Sequence, residues 1–531
     1  MVFPIVKQYA VGEGICRLPE AVTCGGAIDD ALAMLGAKAL TGFFEGAVCK
    51  EGNVFVFFAY DPSLPDQAEI YRVTVGECSI CVGFRDARGA VNGAATVSLL
   101  LCQKELAQCE ILDYPSCGLR SMLLDLARGV PKLEDVEGMI RYMALAKMNT
   151  VHLHLMDSRG LCYRSDAVPE FRYTGVGEPC EKAYLQSIRA LCNRYAIDII
   201  PEIEIPAHAN ALCESHPDFT CDVEEEIHWT LCPGSEGLYP FFDRLIGEVA
   251  EIFPESKYIH AGSDELEFLD LDPPHCCNWD RCPKCAALRL REGLADLRAE
   301  FYYVMEQIHQ MIRRRGKRMI MWNDQIDVSR DVPLSREIVV EFWRIAAEGR
   351  GPVEGCTFDR FLELDFSIIN AHYRYTYTDV EKYLSPEKLK KWVPFVNLEQ
   401  EPVPSDLILG GEACAWEFGN YAEYPFYGYV APTTAAIFGD KLWGLGEREY
   451  DKAYREGLAA LLFGAGELSE VFDHVGDILP PRSSEQFTYL NADQICRERV
   501  LACAERLASI GRGWAVPQYV GLLQKIAEQA T

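Results

Sequence analysis

No stretch of the 531-residue sequence holds the roughly 18 consecutive apolar side chains needed to cross a bilayer as a helix. The opening MVFPIVKQYAVGEGI also lacks the long apolar core of a secretory signal, so neither membrane insertion nor export is expected. Positive charge is scarce: 51 Lys and Arg stand against 80 Asp and Glu, a net −29. A field of that sign repels phosphate backbones and anionic lipid surfaces, so no nucleic-acid partner and no membrane partner is expected. Local basic runs such as Arg313, Arg314, Arg315, Lys317 and Arg318 are better explained as a solvated helix end. Low-complexity tracts are missing as well. The 41 Gly and 28 Pro are scattered, and 49% hydrophobic with 25% charged residues is the balance of a chain that buries a large core. Cysteine is the residue in excess. In the cytoplasmic, reducing compartment expected without an export signal, its 22 copies read mostly as free buried thiols.

Boundaries come from changes of pattern. From Ala68 the chain alternates apolar and polar residues, turns at Gly, and reads as a helix from about Ala90. Residues 1–115 are therefore expected to form a small α+β unit. Beyond it, short and nearly continuous apolar runs alternate with amphipathic helical stretches. The runs are Ser121 to Leu124, Thr150 to Leu155, Asp198 to Ile203, Tyr258 to Gly262, Arg318 to Trp322, Ile338 to Phe342, Phe366 to Ile369 and Leu407 to Gly411. Apolar runs buried on both faces and separated by helices are parallel strands, and eight such units predict a (β/α)8 TIM barrel over 116–450. The helices Val136 to Lys147 and Phe241 to Ile252 are legible, the second ended by Pro254. A helical C-terminal segment, 451–531, is expected to pack on the barrel, with Asp493 to Ile510 as an amphipathic helix.

A barrel of this kind carries its chemistry at the C-terminal ends of its strands. Charged and aromatic residues recur there: Arg120, Asp125 and Arg128 around the first run, His152, His154 and Asp157 at the second, and Glu202, Glu204 and His208 at the third. The fourth ends in His260-Ala261-Gly262-Ser263-Asp264-Glu265, the fifth in Trp322-Asn323-Asp324 and the sixth in Glu341 and Trp343. Tyr373, Tyr375, Tyr377 and Asp379 follow the seventh run, and Glu412, Trp416 and Glu417 the eighth. One such residue is usually a structural hydrogen-bonder; eight in phase are harder to dismiss.

Past a strand end, with Gly262 and Ser263 loosening the backbone, Asp264 and Glu265 can both turn into the barrel mouth. Two adjacent carboxylates cannot ionise equally. One stays protonated and can act as an acid, a division of labour suited to glycoside cleavage. Trp322, Trp343 and Trp416 are three of only 8 tryptophans, each at a predicted strand end. Sugar rings offer apolar faces bordered by hydroxyls, so an aromatic wall among polar groups is a natural saccharide pocket.

These residues resemble the family 20 glycoside hydrolases, the β-N-acetylhexosaminidases. The strongest motif, His260-x-Gly262-x-Asp264-Glu265, is similar to the family's His-x-Gly-Gly-Asp-Glu signature. Supporting it are Arg120 with Leu124-Asp125-x-Ala127-Arg128, His152-x-His154-x-x-Asp157, Pro201-Glu202-x-Glu204-x-Pro206-Ala207-His208, and Gly93-Ala94-Ala95-Thr96 in the small unit. The resemblance implies an exo-acting, retaining, substrate-assisted hydrolysis of terminal β-linked GlcNAc or GalNAc on oligosaccharides or glycoconjugates, without a cofactor. The substrate's 2-acetamido oxygen attacks the anomeric carbon and forms an oxazolinium ion. By similarity Glu265 is the acid and base, Asp264 holds the acetamide N–H, and Tyr377 donates to the acetamide oxygen, with Tyr375 the competitor if the register is off by two. The resemblance further makes Asp379 a ring-hydroxyl ligand and gives Arg120 the hydroxyls at C3 and C4. Asp157 and His208 buffer Glu265, His260 shapes the site, and Trp322, Trp343 and Trp416 wall it.

The sequence departs from the family at four places. Ser263 and Ser121 replace glycines, and Leu153 stands where Trp is frequent between the histidines. Phe418 occupies the place of an acid that binds the hydroxyls at C4 and C6, with Glu417 displaced by one, which opens the choice between GlcNAc and GalNAc. Two rivals stand beside this reading: a sugar-binding protein with a degenerate site, and a two-carboxylate retaining barrel hydrolase with Glu341 or Glu204 as nucleophile. Outside this picture lies His275-Cys276-Cys277-x4-Cys282-Pro283-Lys284-Cys285. Its thiols could complete a tetrahedral zinc site, but the second Cys-x-x-Cys half is missing and cysteines abound. Free thiols are the expectation, and no metal ligand is assigned.

Overall fold

The computed structural model describes residues 2–19, 21–27, 30–44, 46–50, 52, 54–103, 105–223, 229–266, 277–329, 331–344, 357–378, 389, 392–395, 402–403, 406–419, 427–475, 478–479, 488–489 and 496–528, with 427–430, 478–479 and 488–489 as backbone only. Seven strands open the chain: β1 (Gln8–Ile15), β2 (Val22–Gly26), β3 (Ala47–Cys49), β4 (Val56–Tyr60), β5 (Tyr71–Val75), β6 (Ile80–Phe84) and β7 (Ala107–Asp113). They form one mixed sheet in the order β1-β7-β5-β6-β4-β2-β3. Alternation of buried and exposed residues in β5 and β6 gives the sheet one apolar face. Helices α1 (Ala31–Phe43) and α2 (Ala87–Leu101) cover it, their ends capped by Asp30 and Asp86, whose carboxylates accept backbone amides of the first turn.

A closed barrel follows, of β8 (Leu119–Asp125), β9 (Thr150–His154), β12 (Asp198–Glu202), β13 (Tyr258–His260), β14 (Arg318–Trp322), β15 (Val339–Phe342), β16 (Ser367–Asn370) and β17 (Ile408–Ala415). The intervening β10 (Met156–Asp157) and β11 (Gly160–Leu161) make a two-stranded ribbon over the mouth. All barrel pairings are parallel, and β17 closes onto β8 with Gly411 opposite Arg120 and Ala415 opposite Leu124. The eighth strand runs four residues past the apolar run seen in the sequence, because Gly410-Gly411 reads locally as a turn. Here those glycines are inside the strand, where a Cβ on Gly410 would stand 2.0 Å from the Leu119 carbonyl.

The small unit docks on the N-terminal end of the barrel through buried charges. The ammonium of Lys147 lies 2.8 Å from Asp113, which also accepts the Tyr71 hydroxyl at 2.6 Å and the Trp443 indole at 3.0 Å. Beside them the Arg120 guanidinium pairs with Glu69 and donates to the carbonyls of Cys117 and Lys147. Helix Ala515–Glu528 packs on helices Tyr427–Gly444 and Lys452–Phe463, while Arg497–Ile510 packs on Ala515–Glu528. Among the described residues no helix is long and apolar enough to cross a membrane.

Candidate active site

Alternate side chains of each barrel strand point inward, and eight strands stack them in layers. One layer below the mouth is polar. His152 of β9, Glu202 of β12, His260 of β13, Glu341 of β15 and Glu412 of β17 are fully buried together with Trp322 of β14. His152 Nδ1 lies 2.8 Å from Glu412, His260 Nδ1 lies 2.8 Å from Glu202, and the Trp322 indole donates to Glu202 at 2.9 Å. Burial alone would discharge His152, yet the carboxylates of Glu412 and Glu202 push its pKa up to about 9. Burial, reinforced by Glu412, raises Glu341 well above the usual carboxylate range. His152, His260, Trp322, Glu202, Glu341 and Glu412, which the sequence reading places at the strand exits, therefore form the floor of the site.

The mouth is built by residues just past the strands. Arg128, His154, Asp157, Glu204, His208, Asp264, Glu265, Trp343, Tyr373, Tyr377, Trp416 and Glu417 enclose a cavity of about 300 Å³. Its backbone is unusually left-handed: φ is +50° at His208, +58° at Gly262, +88° at Ser263, +54° at Glu265 and +58° at Glu417. Such angles cost an L-residue roughly 1–2 kcal/mol each, and they break the in–out alternation so that neighbours can share one face. Glycine is required at 262, where a Cβ would come within 1.7 Å of the Glu204 carboxylate.

Asp264 and Glu265 meet at His208, whose Nε2 is 3.6 Å from a carboxylate oxygen of each. His208 Nδ1 faces Asp157 at 3.4 Å, and Asp157 in turn lies 2.9 Å from the Arg128 guanidinium and 3.0 Å from His154 Nε2. Burial opposes charge on His208 and Asp157 alike. It is outweighed in both: Asp157 and Asp264 raise His208 well above its ordinary value, and Arg128 with His208 holds Asp157 well below the carboxylate range. Glu204 behaves oppositely, raised well above by burial and by the neighbouring Asp264 and Glu202. The mouth thus sets a histidine biased toward its charged form and a glutamic acid biased toward its neutral form on either side of Asp264.

The Glu265 backbone is clamped from two sides. Its N–H donates to Asp324 at 3.0 Å, and its carbonyl accepts the Trp229 indole at 3.3 Å. Asp324 also accepts the Trp343 indole at 3.2 Å, tying one aromatic wall to the same anchor. Trp343 stacks on Tyr377 with ring centroids 6.0 Å apart and planes 9° from parallel, and Trp416 meets Tyr377 edge-on at 5.8 Å. The Arg128 guanidinium covers Trp416 at 5.2 Å. Several buried polar atoms around the cavity make no hydrogen bond among the described residues: Oε2 of Glu204, both ring nitrogens of His208, Oδ1 of Asp264, an acceptor, and Nε1 of Trp416, a donor.

The structure brings Asp264, Glu265, Tyr377, Asp157, His208, Trp343, Trp416 and Glu417 together. Tyr377 rather than Tyr375 faces the cavity; Tyr375 stacks on Trp392. Asp379 lies outside the described residues. Arg120 requires correction: as the second residue of β8 it sits at the opposite end of the barrel, fully buried against Glu69, where no substrate hydroxyl reaches. The guanidinium of the cavity is that of Arg128. Trp322 leaves the wall for the floor, where it supports Trp416 from a centroid distance of 6.1 Å, and His260, expected to shape the site, lies in the floor beside it. Glu417 regains the cavity through its left-handed backbone, while Phe418 is buried in the core. His154 and Tyr373 were visible as polar or aromatic residues at strand exits but carried no assigned role, and Glu204 had one only as the nucleophile of the two-carboxylate rival. Trp229, 27 residues beyond the end of β12, left no local signal.

These shifts set a pH dependence. His152, His154 and His208 have raised pKa values in the fold, so they contribute stability below about pH 6.5 that is lost as pH rises through their folded values, about 9 for His152. Glu204 and Glu341, raised as acids, are also favoured folded at lower pH. All five act in one direction. The melting temperature is expected to fall between pH 6.5 and 9, read by calorimetry in buffers of matched ionic strength; a flat or rising profile would contradict the charge assignment.

Residues 118–423 match the family model described as glycosyl hydrolase family 20, catalytic domain. A β-hexosaminidase of Vibrio furnissii is 26% identical over 437 residues, covering 74% of this chain and 68% of that protein. The β-hexosaminidase subunit beta of Mus musculus is 25% identical over 399 residues, covering 72% and 70% respectively. Among solved structures, a β-N-acetylhexosaminidase from Bacteroides fragilis superposes with a TM-score of 0.72 at 20% identity, covering 87% of this chain and 95% of that one. An exo-β-N-acetylglucosaminidase from Vibrio harveyi, in complex with N-acetylglucosamine, gives 0.70 at 22% identity, covering 87% and 76%.

Proposed function

The chain belongs to glycosyl hydrolase family 20, and from that membership we propose that it is an exo-acting, retaining β-N-acetylhexosaminidase that removes terminal β-linked GlcNAc or GalNAc by substrate-assisted hydrolysis. The observation that carries the reading is the pair of buried, unbonded polar atoms, Asp264 Oδ1 and Trp416 Nε1, in one aromatic cavity. An acetamido group presents one N–H and one carbonyl, and it would satisfy an acceptor and a donor that otherwise remain desolvated without a partner.

In this reading the acetamide oxygen attacks the anomeric carbon, Glu265 protonates the departing oxygen and then takes a proton from the incoming water. Asp264 accepts the acetamide N–H and offsets the positive charge that grows on the forming ring, an interaction stronger in the transition state than in the ground state. Tyr377, between Trp343 and Trp416, directs its hydroxyl to the acetamide oxygen. Arg128 and Glu417, 3.7 Å apart, take the ring hydroxyls in place of Arg120. A two-carboxylate retaining mechanism is disfavoured because Glu341 is sealed in the floor and the carboxyls of Glu341 and Glu204 are both shifted toward the neutral acid, which makes each a poor nucleophile. Action in the cytoplasm on oligosaccharides or glycoconjugates is part of the proposal, supported by an abundance of thiols such as Cys24 and Cys49, whose sulfurs lie 3.6 Å apart.

Hydrolysis of matched aryl β-glycosides of GlcNAc, GalNAc and glucose tests the class. Turnover of either acetamido sugar but not of glucose is expected, and their ratio reads the C4 preference that Glu417 and Phe418 set. Equal cleavage of the glucoside would overturn the substrate-assisted reading; binding without turnover of any of them would favour a sugar-binding protein. Asp264→Asn should slow both good and poor leaving groups by about 10²–10³-fold, since it acts on the acetamide rather than on the leaving group. Leaving-group-dependent loss in this variant would contradict that role.

A further inference from the structure

A second chemical centre stands in the loops behind the catalytic carboxylates. Cys221 and Cys232 come from the segment after β12, and Cys282 and Cys285 from the segment after β13; all four are buried, with their sulfurs within 4.8 Å of one another. Of the thiols singled out in the sequence, Cys277 is not in this group, and His275 and Cys276 lie outside the described residues. The missing second half of the motif is supplied by Cys221 and Cys232, eleven positions apart and 50 to 64 residues upstream of Cys282 and Cys285, a spacing with no local signature.

The spacing of the sulfurs argues against disulfides. Cys232 is 3.7 Å from Cys282 and 3.6 Å from Cys285, and Cys221 is 3.9 Å from Cys285, so no two sulfurs are singled out as a pair. A tetrahedral zinc thiolate with Zn–S bonds of about 2.3 Å has sulfur–sulfur edges of about 3.8 Å. The three measured edges bracket that value. Cys282 immediately precedes the helix Pro283–Glu292 and Cys285 sits in its first turn, where the aligned peptide dipoles favour thiolate charge. The two loops also meet closely. A Cβ on Gly234 would stand 2.4 Å from the Lys284 backbone, and the Lys284 ammonium bonds the carbonyls of Asp218 and Thr220 at 3.3 and 3.2 Å.

We propose that Cys221, Cys232, Cys282 and Cys285 bind one Zn²⁺ as a structural tetrathiolate, the four thiols releasing four protons as the ion enters. The ion cross-links the two loops that flank the mouth. The first of them carries Trp229, whose ring lies 4.5 Å from the His208 ring and whose indole holds the Glu265 carbonyl. The zinc thus fixes the loop behind the acid without touching substrate.

The test is metal content of the full chain, expressed with Zn²⁺ in the medium, freed of any affinity tag and dialysed against metal-free buffer. One zinc per chain by plasma mass spectrometry is expected, released in step with modification of four thiols by an organomercurial. Cys282→Ser should lose that zinc. Because this variant can also fail to fold, Cys221→His is measured beside it; a Cys3His set still suits zinc, so it should retain about one ion per chain. A soluble, active wild-type chain with no stoichiometric zinc, or with these cysteines recovered as disulfides under non-reducing peptide mapping, would overturn the proposal. So would zinc retained in full by Cys282→Ser.

Discussion

Glu265→Gln is expected to lower turnover of substrates with poor leaving groups by about 10²–10⁴-fold while largely sparing the first step on activated aryl glycosides. The glutamine keeps the shape of the side chain but cannot deliver a proton. The rest of the site should hold, because Glu265 is positioned through its backbone, by Asp324 on the amide and Trp229 on the carbonyl. Only its carboxyl reaches His208, at 3.6 Å. The experiment is a comparison of kcat/KM across aryl leaving groups of graded acidity, with burst kinetics separating glycosidic cleavage from breakdown of the oxazolinium ion. A loss of the same size for good and poor leaving groups would remove Glu265 from the acid role.

Arg120→Met should cost about 3–5 kcal/mol of stability and leave KM of the folded fraction unchanged. The guanidinium is fully buried, donates to the carbonyls of Lys147 at 2.8 Å and Cys117 at 2.7 Å, and lies 5.1 Å over the Trp443 ring. Its partner Glu69 is desolvated too, yet Arg120 and Arg88 hold its carboxyl below the usual range. Removing Arg120 leaves that anion buried with a weaker partner. Denaturant unfolding measures the loss, and Glu69→Gln combined with Arg120→Met should recover part of it, since the stranded charge is then gone. A raised KM with unaltered stability would instead return Arg120 to the hydroxyl-binding role that the sequence resemblance implied.

The contrast between Arg120 and Arg128 shows where the sequence reading stopped. Both arginines flank the first apolar run; the rule that the chemistry lies at the C-terminal ends of the strands favours Arg128, which follows the run, whereas Arg120, which precedes it, took the role only from the resemblance. Pairing of β8 with β9 decides it: Ser121 lies opposite Thr150 at the start of β9 and Asp125 opposite His154 at its end, so Arg120 is below the barrel and Arg128 above it. The same limit explains His152, Glu202, His260, Glu341 and Glu412. Their place at the ends of the apolar runs marked them as strand-exit residues, but height along the barrel axis depends on inter-strand register, and register set them one layer beneath the mouth. Glu417 fell out of phase with its neighbours for a different reason, a left-handed backbone that a sequence pattern does not carry.

By itself the sequence determined the eight parallel strands, the helical and α+β flanks of the barrel, and the adjacency of Asp264 and Glu265, because each is encoded in contiguous residues whose period or order survives without a fold. Tertiary structure alone decided the layer each inward side chain occupies, the partners that bury Arg120, and the meeting of Cys221 and Cys232 with Cys282 and Cys285. Those outcomes depend on barrel closure and loop packing, which juxtapose residues tens to hundreds of positions apart and so leave no trace in local spacing.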